Sequence, residues 1–470
     1  MPKHPMPDVI VLLPGVMGSV LQKDGKPAWG FDAGSIARAL FTRGDSIAEG
    51  LRLGGDDPAR ETLDDGVTAT ALLPDLHLLP GFWKIDGYGH VADVIRTVFD
   101  VKEGENFFRF PYDWRRDNRA SARKLQRASR DWLAAYRRTS PQAKLILVAH
   151  SMGGLVSRYF LEVLEGWKDT KALITFGTPY RGSLNALDTL SNGMRKGGLK
   201  LDALSELARS CTSIYQLLPI YKAYDAGDGT LARVGESGGI PNVDPQRAKA
   251  ALAFHREIIA AVDAHLVEPA YMRNRYRIFP IVGTTQSTLQ SGRLTNGTVV
   301  LDQAHEGQDL SGDGTVPRVS AVPHEDGPAD NAMYAAMKHG SLQNTDAVLQ
   351  HLEGAITSLY IDLGKFLAPD RRAQLALSVD DVYFDDEPVL IGVDAGSDRL
   401  QLVATAVDAT TGATVATQPM RDNRDGTYAA QCGPLPEGSY RIHVRSDEAA
   451  NRDDVIPIAD AFGISPRVSG

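Results

Sequence analysis

Residues 1–367 predict a mainly parallel α/β sheet with helices on both faces, and residues 368–470 predict a small all-β sandwich. Three observations carry this. Short apolar runs alternate with longer amphipathic ones from Asp8 to about Tyr360. The stretch 191–276 interrupts that rhythm with helical segments and glycine-rich loops lacking an obvious strand. From Leu375 to Arg445 the pattern becomes short alternating runs separated by turns.

Val9-Ile10-Val11-Leu12-Leu13 is continuous and β-branched, as in a strand buried on both faces. Asn106–Phe110 is a second strand, ended by Pro111, and Leu125, Ala128, Trp132, Leu133 and Tyr136 then recur at helical spacing. Leu145–Ala149 is a third strand, followed by a helix whose apolar face carries Leu155, Val156, Tyr159, Phe160, Val163 and Leu164. Ala172–Phe176 and Arg277–Val282 supply two more strands, and Thr345–Leu363 a last helix. Strand, helix, strand in this order implies crossovers and a parallel sheet. An insertion such as 191–276 belongs over the carboxyl ends of the strands, as a cap. After the linker Ala368-Pro369-Asp370, the alternation of Leu400, Leu402, Ala404 and Ala406, and of Tyr440, Ile442 and Val444, reads as antiparallel strands of an immunoglobulin- or fibronectin-like sandwich. Thr411-Gly412 and Asp425-Gly426 are its turn signals.

The chain of 470 residues carries a net charge of −9, which argues against a broad basic face for nucleic acid. No run approaches the ~20 apolar residues of a spanning helix. The Val9–Val20 run, interrupted by Pro14, Gly15 and Gly18, reads as a buried strand and glycine loop rather than a signal peptide, so a cytoplasmic location is expected. Cys211 and Cys432 fall in different predicted domains, and no disulfide is expected. No metal or cofactor is expected either; Asp380, Asp381, Asp385 and Asp386 lack a calcium-loop spacing and read as a solvated surface.

The strongest chemical signal is Ala149-His150-Ser151-Met152-Gly153-Gly154, set between a strand and a helix. A sharp turn flanked by small residues lifts a serine hydroxyl clear of the sheet, where a base can activate it. The backbone N–H of Met152 is then one oxyanion donor. Pro14-Gly15-Val16-Met17-Gly18-Ser19, after the first strand, offers the N–H of Val16 as the other. An acid and a histidine should follow in that order. Gly227-Asp228-Gly229-Thr230 and Gly312-Asp313-Gly314-Thr315 compete for the acid. The second follows a strand, so Asp313 is assigned and Asp228 reads as a turn. Of His324, His339 and His351, His339 lies on the approach to the last helix and is assigned as base. The residues thus describe an acyl-enzyme chemistry and leave open whether water or an alcohol completes it.

The segments PGVMGSVL (14–21), FPYDWRRDN (110–118), AHSMGG (149–154), TFGTPYRGS (175–183), SIYQLLP (213–219), GDGTVP (312–317) and HGSLQN (339–344) together resemble the lecithin:cholesterol acyltransferase family of α/β-hydrolases, in a bacterial-type member. The resemblance covers residues 8 to about 360 and implies an α/β-hydrolase fold with the same triad and oxyanion donors. It implies a phospholipase or O-acyltransferase acting on lipid esters. A general carboxylesterase or triacylglycerol lipase, and a non-catalytic binding protein on the same fold, stand as alternatives. Asp113, Trp114 and Arg115 read as a packed, ion-paired corner, and Thr178–Gly182 as the pocket floor. Leu78–Trp83 is an apolar loop for peripheral membrane contact or for packing under the cap, and the cap segment Ile214–Ile220 carries the same two readings. No residue of the β domain names a ligand; protein and carbohydrate both remain open.

Overall fold

The computed structural model describes residues 2–30, 48, 50–74, 86–196, 199–325, 332–361, 372–397, 399–447 and 455–467. They form two compact units, Met1–Ile361 and Asp362–Gly470. The expected 367/368 break and the Leu78–Trp83 loop both lie outside the described residues.

In the first unit, six strands form one sheet: β1 (Val9–Leu13), β2 (Phe107–Arg109), β3 (Leu145–His150), β4 (Thr170–Phe176), β5 (Arg277–Gly283) and β6 (Met333–Ala335). Their order is β6-β5-β4-β3-β1-β2, and every pairing is parallel. All five residues of β1 and all six of β3 are buried, as strands between two helical layers must be. The connecting helices are α1 (Gly89–Val98), α2 (Asn118–Tyr136), α3 (Met152–Arg158), α4 (Leu184–Ser191), α5 (Asp202–Ser210), α6 (Pro245–Leu266) and α7 (Asp346–Ser358). The chain runs from β1 outward to β2, then crosses back to β3 and proceeds the other way. Right-handed crossovers therefore put helices on opposite faces, and α1 packs with α7 while α2 packs with α3. No helix among the described residues is long and apolar enough to cross a membrane.

The expected cap is helical through α5 and α6. Asp244 caps α6, its carboxylate accepting from the N–H groups of Gln246 (2.8 Å) and Arg247 (3.2 Å), with Pro245 at the first helical position. The cap also contains strands, contrary to expectation. Tyr224–Asp225 and Leu231–Ala232 join the hairpin of Ser291–Thr295 and Thr298–Asp302 in a separate four-stranded sheet. They are too short to leave a periodic signature. Ile214, Leu217 and Leu218 are buried, so this stretch is core packing.

Behind the Ser151 helix lies a buried charge network. Arg158 Nη1 meets Glu162 Oε1 at 3.3 Å and the Tyr276 hydroxyl, and Nη2 meets Glu325 Oε1 at 2.5 Å. His265 Nδ1 on α6 and the Tyr271 hydroxyl on the following short helix, Pro269–Asn274, reach Glu162 at 2.8 and 3.0 Å. Burial alone would raise Glu325, but the Arg158 charge and the His324 hydrogen bond outweigh it and hold the carboxyl down to about 2. Removing the guanidinium takes from two buried carboxylates the cation they share and leaves them only their hydrogen-bond partners. Arg158→Ala is expected to lower unfolding free energy by about 3–5 kcal/mol in urea titrations, and an unchanged midpoint would contradict this account.

The described residues of the second unit form two sheets. One orders Ala376–Ser378, Val389–Asp394, Thr427–Cys432 and Arg421–Asp422; the other orders Val382–Phe384, Ile458–Ser465, Gly438–Ser446, Leu402–Asp408 and Thr414–Pro419. Leu402, Ala404, Ala406, Tyr440, Ile442 and Val444 face its core, as their alternation requires. One pairing departs from the antiparallel expectation: Val382–Phe384 runs parallel to Ile458–Ser465. Asp385 and Asp386 are engaged by Arg467, through its N–H at 3.1 Å and its Nε at 3.0 Å. Cys211 and Cys432 are free thiols, each buried in its own unit, and burial pushes the Cys211 thiol up to about 12.

Candidate active site

Strands β1 and β3 are neighbours whose chains depart in opposite directions, so a crevice opens between their carboxyl ends. The two loops that leave there are Pro14–Ser19 and Ser151–Gly153. Ser151 sits at φ 52° and ψ −122°, a conformation costing a non-glycine residue of order 1–3 kcal/mol. The surrounding backbone holds it: Ser151 N–H donates to the Phe176 carbonyl at 2.8 Å, and Thr178 Oγ1 donates to the Ser151 carbonyl at 3.0 Å.

His339 opens a short 3₁₀ segment, His339–Asn344, directly before α7. Its Nε2 lies 2.9 Å from Ser151 Oγ and its Nδ1 lies 2.7 Å from Asp313 Oδ2. The other carboxylate oxygen of Asp313 accepts from Thr315 N–H (2.9 Å) and Val316 N–H (2.7 Å). The His339 N–H donates to the Asp313 carbonyl at 2.9 Å, which joins the two loops. Gly177, at φ +56°, makes room for this pair. A Cβ there would sit 2.8 Å from Asp313 Oδ2 and 2.9 Å from His339 Nδ1. The three side chains singled out in the sequence are thus brought into one hydrogen-bonded line.

Val16 and Met152 are buried beside Ser151's turn, and neither backbone N–H has an acceptor among the described residues. Met152 is the first residue of α3, where helix geometry supplies no internal partner. The competing residues lie elsewhere. Asp228 is exposed and closes a turn by accepting from Thr230 N–H at 2.9 Å. His324 pairs with Glu325 at 3.0 Å, and His351 lies within α7. The Asp113–Arg115 corner is a buried ion-pair cluster, with Arg115 Nη2 at 2.6 Å from Asp113 and 2.8 Å from Asp65.

Two buried groups beside the site escaped the sequence reading, Tyr88 and His150. The Tyr88 hydroxyl lies 2.9 Å from His150 Nδ1, and His150 Nε2 lies 3.1 Å from the His339 carbonyl. Burial and the neighbouring His339 imidazole hold His150 down to about 3. Burial likewise lowers His255 to about 4. Both histidines are neutral when folded and take up a proton near 6.5 once unfolded, so the unfolded state binds more protons between those limits. Stability is fully present above about pH 6.5 and falls as the pH drops toward 4. The slope is up to about 1.4 kcal/mol per pH unit for each histidine. Urea midpoints measured from pH 7 to pH 4 check this, and the slope should shallow in His255→Gln.

A parallel sheet with a strained serine between strand and helix, and with an acid and then a histidine on later loops, is the arrangement of the α/β-hydrolase fold. Residues 83–265 match the profile of the lecithin:cholesterol acyltransferase family. The chain is 32% identical to the human lysosomal phospholipase A and acyltransferase over 151 residues, which is 30% of this chain and 35% of that protein. It is 30% identical to the lecithin-cholesterol acyltransferase-like 4 protein of Arabidopsis thaliana over 149 residues, 29% of this chain and 27% of that one. The aligned segments span about a third of these relatives' length. A chain of the Tle4–Tli4 complex superposes with a TM-score of 0.51 at 16% identity, covering 77% of this chain and 99% of that one. That likeness is one of fold.

Proposed function

We propose that this protein is a serine-dependent lipid acyl hydrolase or O-acyltransferase that works through an acyl-enzyme. The observation that carries the reading is the continuous line Ser151 Oγ, His339 Nε2, His339 Nδ1, Asp313 Oδ2, with links of 2.9 and 2.7 Å. The similarity to a phospholipase A and acyltransferase supports lipid esters as the substrate class.

In this reading His339 takes the hydroxyl proton as Ser151 Oγ attacks an ester carbonyl carbon. Asp313 holds the imidazole in the tautomer whose Nε2 is free to accept, and then stabilises the imidazolium. The carbonyl π electrons move to oxygen, toward the N–H groups of Val16 and Met152. The tetrahedral adduct collapses, the ester C–O bond breaks, and the departing alkoxide takes its proton from His339. Water or a second alcohol, deprotonated by His339, then attacks the acyl-serine and regenerates Ser151.

The test is mass spectrometry of products from mixed phospholipid liposomes containing a long-chain alcohol. Release of acyl chains as fatty acid or as the new ester supports the proposal, and their ratio separates hydrolase from transferase. Turnover of short-chain soluble esters with no action on liposomes would replace the lipid substrate with a general esterase role.

A further inference from the structure

Three of the sequence segments singled out above converge on one buried phenol. The Gly15 N–H, in the loop bearing Val16, donates to the Tyr88 hydroxyl oxygen at 2.8 Å. That hydroxyl lies 2.9 Å from Nδ1 of His150, the residue before Ser151. His150 Nε2 lies 3.1 Å from the carbonyl oxygen of His339. Tyr88 is itself tied to the His339 loop. Asp86 N–H donates to the Gly340 carbonyl at 2.9 Å, Gln343 Nε2 to the Gly87 carbonyl at 3.0 Å, and Asn344 Nδ2 to the Asp86 carbonyl at 3.0 Å.

Hydrogen-bond inventory fixes the direction of this chain. A backbone N–H can only donate and a carbonyl can only accept. His150 Nε2 must therefore carry the proton given to the His339 carbonyl. In the neutral imidazole that leaves Nδ1 as an acceptor, so the Tyr88 O–H donates to it. Each of the three links in the line Gly15, Tyr88, His150, His339 then joins one donor to one acceptor. The pair is 1–2% exposed, so a missing link would leave a buried group unsatisfied. The glycines are fitted to it. A Cβ at Gly18 would meet the Tyr88 hydroxyl at 2.7 Å, and one at Gly15 would meet His150 Nδ1 at 3.1 Å.

We propose that Tyr88 and His150 are positioning residues that lock the Val16 oxyanion loop and the His339 loop in fixed relation around Ser151. The proposal rests on the acyl-transfer reading. Neither residue reaches the reacting atoms; each acts by holding a group that does. Misplacement of such groups by about 1 Å is enough to cost about 10²-fold in rate.

The experiment measures kcat and KM on a p-nitrophenyl ester, with inhibition by an arylboronic acid, for wild type, Tyr88→Phe and His150→Asn. Tyr88→Phe removes one oxygen and both of its links. His150→Asn keeps an acceptor facing Tyr88 but loses the link to His339. The expected result is a kcat lower by about 10- to 100-fold with KM within about twofold. Boronate affinity, which depends on the tetrahedral geometry, should fall in parallel. A packing role alone would lower the melting temperature and leave kcat and boronate affinity in place. Folded Tyr88→Phe with a wild-type kcat overturns the proposal, and if that variant does not fold, the same result in His150→Asn does so. A wild type that neither turns over the ester nor reacts with a fluorophosphonate overturns the acyl-transfer reading itself, and the failing protein tells the two apart.

Discussion

Replacing Ser151 by alanine lowers kcat by at least about 10⁴-fold on any ester the wild type cleaves, and leaves the fold intact. The hydroxyl is the atom His339 faces at 2.9 Å, and the substitution deletes it without adding volume. It also relieves nothing essential, because the turn is held by backbone bonds from Phe176 and Thr178 rather than by the serine side chain. Residual activity would come from the Val16 and Met152 donors and from substrate binding. Steady-state rates with matched melting curves check this. A folded variant with a kcat within tenfold of wild type would remove Ser151 from the chemistry.

Asp313→Asn is expected to cost about 10⁴-fold in kcat, for a reason specific to this loop. Oδ1 of Asp313 accepts two backbone N–H groups, from Thr315 and Val316. An asparagine must keep its carbonyl there, so its NH₂ turns toward His339. His339 Nδ1 then becomes an acceptor and Nε2 carries the proton. That tautomer presents a hydrogen to Ser151 and cannot take one. Asp313→Ala, which imposes no tautomer, should be less impaired than Asp313→Asn. Equal or faster turnover by the asparagine variant would contradict the assigned role.

Much of this site was legible in the sequence because its parts sit at the ends of strongly apolar strands. Val9–Leu13 and Leu145–Ala149 declare themselves by continuous burial, and Ser151 follows the second directly. Asp313 and His339 were assigned by order and loop context, since the four letters around Asp313 are the same as those around Asp228. What escaped has physical reasons too. The hairpin of Ser19–Lys23 and Lys26–Trp29, with its partner Val67–Leu72, mixes buried and exposed positions and carries Gln22 and Lys23, so its period is weak. The hairpin of Ser291–Thr295 and Thr298–Asp302 is marked only by its turn, where Asn296 and Gly297 both take positive φ, 48° and 75°. Tyr88 lies in no recognisable motif, and its meaning arises only when loops 73 and 62 residues apart in sequence meet. Tyr224–Asp225 is visible as a strand only once its partners, Leu231–Ala232 and the Ser291–Thr295 strand from beyond β5, are in place.

The most direct measurement of the central claim is mass mapping of the protein after reaction with a fluorophosphonate, for wild type, Ser151→Ala and Asp313→Asn. The account predicts one adduct, on Ser151, absent from Ser151→Ala and formed far more slowly in Asp313→Asn. An adduct on another residue, or none on folded wild-type protein, would contradict it.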